Sequence, residues 1–166
     1  MEMKNWVENL AERFIEAGIA TPEKILGCTD EEVLEIEKFY NLKLPDAYKE
    51  YLLKFGKRSG DFLRECEIYY PHILENREAA ETLLDANTDY KLKQSDYVFI
   101  ARYGCQFWFF QTEDRNPNPP VLRYTEDSLK PILLAESFTA AIEMVANEYF
   151  EREKNPLLNE DSKFFD

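Results

Sequence analysis

Few residues in this chain have the types and spacing that chemistry needs. There is one histidine, His72, directly after Pro71. A histidine general base needs a nucleophile in reach and a third group to orient it. Nothing in the spacing brings Cys66 or Cys105 to it, so a structural or solvent-facing histidine is the simpler account. The three cysteines, Cys28, Cys66 and Cys105, form no C-x-x-C pair, which argues against a zinc site or a redox motif. They read as buried or partly buried free thiols in a reducing compartment. Adjacent carboxylates occur at Asp30-Glu31-Glu32 and Glu126-Asp127. Paired carboxylates can do the acid–base work of glycoside hydrolysis, but helix capping and solvated loops account for these two runs. The run Phe107-Trp108-Phe109-Phe110 has the composition of a base-stacking platform. Such platforms sit in basic grooves. In an acidic chain core packing explains the run better, with one alternating face left as an aromatic anchor for a partner.

What remains is charge. The net charge is −13 on 166 residues. Self-repulsion of that size opposes binding to nucleic acid, and it favours a basic protein partner or plain solubility. The charge is uneven: residues 1–60 carry 12 acids and 9 bases, residues 61–166 carry 21 acids and 11 bases. A partner read by electrostatics faces the second part. Loops and strand ends on a rigid scaffold are where recognition usually sits. The candidate partner-binding residues are therefore Glu65, Glu67, Asp96, Asp114, Glu126 and Asp127. No metal-spaced cluster and no phosphate loop is present, so no cofactor is expected. Glu2, Lys4, Glu8 and Glu12 interrupt any apolar signal segment. The apolar runs Tyr97–Ala101 and Phe107–Phe110 fall far short of the ~20 residues of a membrane span. A soluble, cytoplasmic protein with no membrane partner is expected.

The elements that would position these residues follow from periodicity. Trp6, Leu10 and Phe14 recur every four residues and predict a helix over Asn5–Ala17, stopped by Gly18. Thr21-Pro22-Glu23 predicts a short second helix ending before Gly27. Thr29-x-x-Glu32 is a capping box. Behind it Val33, Ile36 and Tyr40 make a buried stripe with Phe39 beside it, and Glu31, Glu35 and Lys38 face water. Pro45 opens a helix whose Tyr48, Tyr51, Leu52 and Phe55 share one face, and Gly56 fits a left-handed C′ position. The few residues between these helices predict that they pack together. Phe62–Tyr70 is either a strand or an irregular lead-in, and Ile73–Leu84 reads as helical. Tyr97–Arg102 and Cys105–Gln111 flank the turn Tyr103-Gly104 as a hairpin. Gln106–Phe110, bulky on both sides, reads as a central strand covered on two faces. Thr112–Pro120 is a loop, Val121–Tyr124 a third strand, and Ser137 caps a last helix with Phe138, Ala141, Ile142, Val145 and Tyr149 inward. The fold class is α+β, a single domain with N-terminal helices and a C-terminal helix packed on a mostly antiparallel sheet. The domain is placed at residues 1–150 and a polar tail at 151–166, where frayed and docked arrangements of Phe164 and Phe165 both stay open.

Several of these features occur in a fixed order. Ile36-Glu37 is followed after seven residues by Leu44-Pro45, then Tyr48, Tyr51-Leu52 and Phe55-Gly56. Later come the aromatic strand pair Tyr97–Phe110, Pro120-Val121 and Ser137-Phe138. This set resembles the SUKH superfamily, the Smi–Knr group of domains, over residues 29 to 150. Phe55-Gly56 stands where the family often has Asn-Gly, and Ile68–Lys91 carries an additional helix. The resemblance implies a binding module without catalytic residues. Most bacterial members look like immunity proteins that neutralise a co-produced toxin, often a nuclease. Fungal relatives serve as regulatory scaffolds. The expected function is stoichiometric inhibition of a cationic toxin, with a regulatory scaffold of the same fold as the alternative.

Overall fold

The structure, a computed structural model, describes residues 2–155. Helix α1 (Met3–Glu16) buries Trp6, Val7, Leu10, Ala11 and Phe14. It ends where Gly18 takes φ +77, a conformation that costs glycine little. The short second helix is instead a three-residue 3-10 turn, Pro22–Lys24. The chain then extends, because β1 (Ile25–Leu26) pairs antiparallel with β2 (Arg58–Ser59). Helix α2 (Asp30–Tyr40) carries the capping box in full. Thr29 Oγ1 accepts from the Glu32 amide at 3.1 Å, and Glu32 Oε1 accepts from the Thr29 amide at 2.9 Å. Val33 and Ile36 are buried and Tyr40 half-buried, but Phe39 is 60% exposed and does not flank the stripe. The inward position next to Ile36 belongs to Glu37 instead.

Asn41, at φ 53, supplies the left-handed residue that ends α2. Helix α3 (Asp46–Phe55) follows, with Pro45 as its N-cap and Ala47, Tyr48, Tyr51, Leu52 and Phe55 buried. The two helices pack on each other, as their short connection requires. Gly56 is not left-handed; it caps α3 at φ −59. Its reason is space. A Cβ there would stand 2.4 Å from Cys28 Sγ and 2.5 Å from the Leu52 carbonyl oxygen.

Residues 62–70 form no strand and touch the sheet through one bridge, Glu67 with Ala101. The predicted helix at Ile73 starts as a 3-10 turn, His72–Glu75, and becomes α4 at Asn76–Asn87. Then comes the main sheet: β3 (Asp96–Arg102), β4 (Gln106–Gln111), β5 (Val121–Thr125) and β6 (Ile132–Ala135). It is antiparallel throughout, in the order β3-β4-β5-β6. The fourth strand has no counterpart in the sequence reading. Strand β4 is covered on both faces, as its bulk predicts. Trp108 and Phe110 enter the larger core with α1, α3 and α5, while Phe107 and Phe109 enter a smaller core under α4.

Helix α5 (Phe138–Lys154) closes the larger core, with Ser137 Oγ accepting from the Ala140 amide at 3.1 Å. Its first residue, Phe138, meets the rings of Trp6, Tyr48, Tyr51, Phe99 and Phe110. Burying one such side chain stabilises by roughly 1.5–3 kcal/mol, and edge-on ring pairs add to it. Helix α1 is tied to α5 by Glu143, which accepts from Trp6 Nε1 and from both terminal nitrogens of Arg13. Both arrangements left open for Phe164 and Phe165, frayed and docked, fall outside the described residues. Among the described residues no helix is long and apolar enough to cross a membrane.

Candidate partner-binding surface

The six candidate carboxylates do not converge. Strand pairing sets their places. Glu67 pairs with Ala101 at the C-terminal end of β3. Glu65 stands two residues before it, exposed, and accepts from the Tyr149 hydroxyl at 3.0 Å. The Glu126 amide donates to the Cys105 carbonyl at 2.9 Å, which sets Glu126 and Asp127 beside the β3–β4 turn. The β5–β6 connection that carries them is held by the Tyr124 hydroxyl on the Ser128 carbonyl at 2.7 Å. Glu65, Glu67, Glu126 and Asp127 thus lie along one end of the sheet.

Asp96 and Asp114 lie at the other end, where Asp96 pairs with Gln111. Asp114 is exposed, and its Oδ1 accepts from the Asn116 amide at 3.1 Å. Asp96 is buried, and its Oδ2 accepts from the Lys93 amide at 2.8 Å. Burial pushes its carboxyl above the usual aspartate value, against the opposing pull of that amide. This carboxylate works within its own turn and offers a partner little.

The other chemistry-bearing residues are dispersed. Cys28 and Cys66 are buried and free, and burial pushes both thiols up to about 12. They remain protonated near neutrality, and a thiol so held is a poor nucleophile. Cys105 departs from the expected burial: it is exposed in the β3–β4 turn. His72 is exposed at the start of its 3-10 turn. The aromatic run Phe107–Phe110 is buried on both faces, so it packs the cores and exposes no anchor.

Two features escaped the sequence reading. Leu129 is 78% exposed, Ile132 51% and Leu133 54%, all on or beside β6. Their trace in the sequence is a group of aliphatic residues flanking Lys130-Pro131. The second is the burial of Glu37, which the sequence offers only as part of a motif: its Oε2 accepts from the Leu44 amide at 2.7 Å. Lys49 Nζ stands 4.0 Å from the same oxygen. The seven-residue spacing from Glu37 to Leu44 is the visible trace of that bond.

A family model described as the SMI1/KNR4 family (SUKH-1) matches residues 27–144. The chain belongs to this family. The match opens just before the capping box of α2 and ends inside α5. It therefore takes in the Glu37–Leu44 turn and the whole four-stranded sheet, and leaves out α1. A search of curated proteins returns no match. SUKH-1 membership is consistent with an immunity-type or regulatory protein that works through protein–protein interaction.

Proposed function

We propose that this SUKH-1 protein is an immunity protein that binds a cationic protein toxin, a nuclease being the first candidate, and neutralises it one to one. The observation that carries the reading is the row of carboxylates Glu65, Glu67, Glu126 and Asp127 along one end of the sheet, in a chain of net charge −13. Three of them, Glu65, Glu126 and Asp127, are exposed on connections held by the scaffold. Such carboxylates attract a basic surface over distance and compete with phosphate for a nuclease's cationic site. The capping carboxylate of α2, Glu32, is engaged by the Thr29 amide and by Lys57 and belongs to folding.

The experiment is reconstitution with the product of the adjacent gene. Purified chain is added to that protein at rising molar ratio while its toxic activity is followed. Full inhibition at equimolar ratio, with a stable complex on gel filtration, is the expected result. Failure to form a complex with a basic neighbouring gene product would refute the reading.

A further inference from the structure

The outer face of β5 and β6 is an apolar surface that outruns its cover. Cross-strand pairing places Val98, Phe109, Leu122 and Leu133 in one row across all four strands. Directly paired residues share a face of an antiparallel sheet, so the row is continuous. Val98 and Phe109 are buried in the smaller core, Leu122 is half-buried against it, and Leu133 is 54% exposed. The cover consists of α4, with Tyr90 and Leu92 at its margin. Helix α4 packs on β3 and β4, so the lid stops before the apolar row does.

Leu129 extends this surface. Its carbonyl accepts from Thr88 Oγ1 at 2.6 Å, which pins it to the C-terminal end of α4 with its side chain 78% exposed. Strand β6 is also the last strand in the order, with a strand neighbour on one side only among the described residues. Edge strands are usually blunted by charge or proline. Here Pro131 blunts the entry, but the strand itself presents Ile132 and Leu133 rather than lysine or glutamate.

The rim names the occupant. Asp89 lies beside Thr88, Glu126 and Asp127 precede Leu129, and Glu136 follows β6; Lys130 is the only cation among residues 126–136, and Lys91, near Asp89, is paired with Asp85 at 2.6 Å. Asp89, Glu126, Asp127 and Glu136 are all exposed. An apolar centre inside a charged rim is the anatomy of a protein–protein interface. The sign of this rim selects a basic partner.

We propose that the β5–β6 face and the β6 edge are the docking site for a cationic protein, which lays an extended segment of alternating apolar and basic residues along β6. Its apolar side chains would cover Leu122, Leu129 and Leu133. Its lysines or arginines would meet Asp127 and Glu136. Main-chain pairing along an open edge gives such docking its affinity, and the alternate side chains give it specificity. This rests on the preceding reading only in taking the partner to be a basic protein.

The test does not need that partner. The isotope-labelled full chain is titrated with a synthetic peptide of alternating leucine and lysine, and separately with one of leucine and glutamate. The expected result is saturable amide shifts centred on residues 122, 129, 130 and 132–134 with the lysine peptide, and none with the glutamate peptide. Leu129→Ser with Leu133→Ser should weaken binding at least tenfold at an unchanged melting temperature. Shifts centred elsewhere, equal binding of both peptides, or undiminished binding by the double variant would overturn the proposal. So would concentration-dependent shifts of the same amides without peptide, which mean a second copy sits there. Tighter peptide binding after deletion of residues 156–166 would equally assign the site to the chain's own end. A lysine peptide that docks here while the neighbouring gene product does not bind would sink the toxin reading alone.

Discussion

Glu37 and Leu44 are joined across the α2–α3 turn by a buried hydrogen bond of 2.7 Å from the Leu44 amide to Glu37 Oε2. The bond satisfies a main-chain donor that has no helical partner and locks the angle between two helices. Without it that buried amide is left unpaired, a cost of about 1–3 kcal/mol. Glu37→Ala should lower stability by about that amount, read as a drop in urea midpoint at constant slope. Glu37→Gln keeps an acceptor and should cost less. Equal losses in the two variants would mean that carboxylate charge matters more than the bond.

Thr29→Ala removes one half of the capping box and should cost about 1 kcal/mol. The Glu32 half is reinforced from outside. Lys57 Nζ sits 2.8 Å from its carboxylate, and that bond, with the Thr29 amide, holds the Glu32 carboxyl below its usual value. An unchanged melting temperature would contradict the cap.

Glu143 makes a pH-dependent tie. Burial raises its carboxyl pKa, but Arg13 and the Trp6 indole more than offset this and leave it below the ordinary glutamate value. A carboxyl lowered on folding stabilises above its unfolded pKa, and that share fades as pH falls through the folded pKa. Wild type should therefore exceed Glu143→Gln in stability at pH 7, and the gap should close under acid. Urea unfolding at both pH values measures it, and a gap that widens on acidification would refute the sign.

Gly56→Ala sets two effects against each other. At φ −59 an alanine costs nothing in backbone strain, and the loss of unfolded-state freedom alone would stabilise by about 0.4–1 kcal/mol. The new methyl, however, would sit 2.5 Å from the Leu52 carbonyl oxygen, which is backbone and must move. Overpacking costs typically about 1–3 kcal/mol, so destabilisation should win. A raised melting temperature would show that α3 can yield there.

If the proposed function holds, charge reversal of Glu65, Glu126 and Asp127 should abolish binding of the cationic partner, while reversal of the exposed Glu12, Glu16 and Glu31 should change it little. Both trios shift net charge equally, and surface changes of this kind usually stay within ~0.5 kcal/mol of stability. The wild-type association rate should fall as ionic strength rises, with dissociation less affected. Surface plasmon resonance over a salt series reads both, and equal loss from the two trios would mean that only bulk charge counts.

The legible parts of the fold are those where one local rule decides. The Thr29-x-x-Glu32 cap, the four-residue repeat of α1 and the doubly bulky β4 each announce themselves. Phe39 was misplaced because a stripe one position too wide looks the same in a short helix, and the inward slot had gone to a glutamate. Gly56 was misread because glycine serves both left-handed turns and close approaches, and only the neighbour Cys28 tells them apart. Strand β6 was missed because Ile132-Leu133-Leu134-Ala135 lacks alternation. Among the candidate carboxylates, Asp96 shows the limit of charge counting. A strand-start aspartate looks like surface until its carboxylate folds back onto the Lys93 amide.

Helix α1 lies before the stretch that the SUKH-1 model matches, yet Trp6 packs on Tyr51 and Phe138, and Phe14 packs on Phe55 and Phe62. The stretch that the family model matches is therefore smaller than the unit that packs together. A gene fragment trimmed to residues 27–144 would keep every motif by which the family is recognised and lose the wall that keeps water from its aromatic interior. Domain swaps among relatives at that boundary should yield aggregates, whereas exchanges that carry α1 and the whole of α5 with the matched stretch should fold.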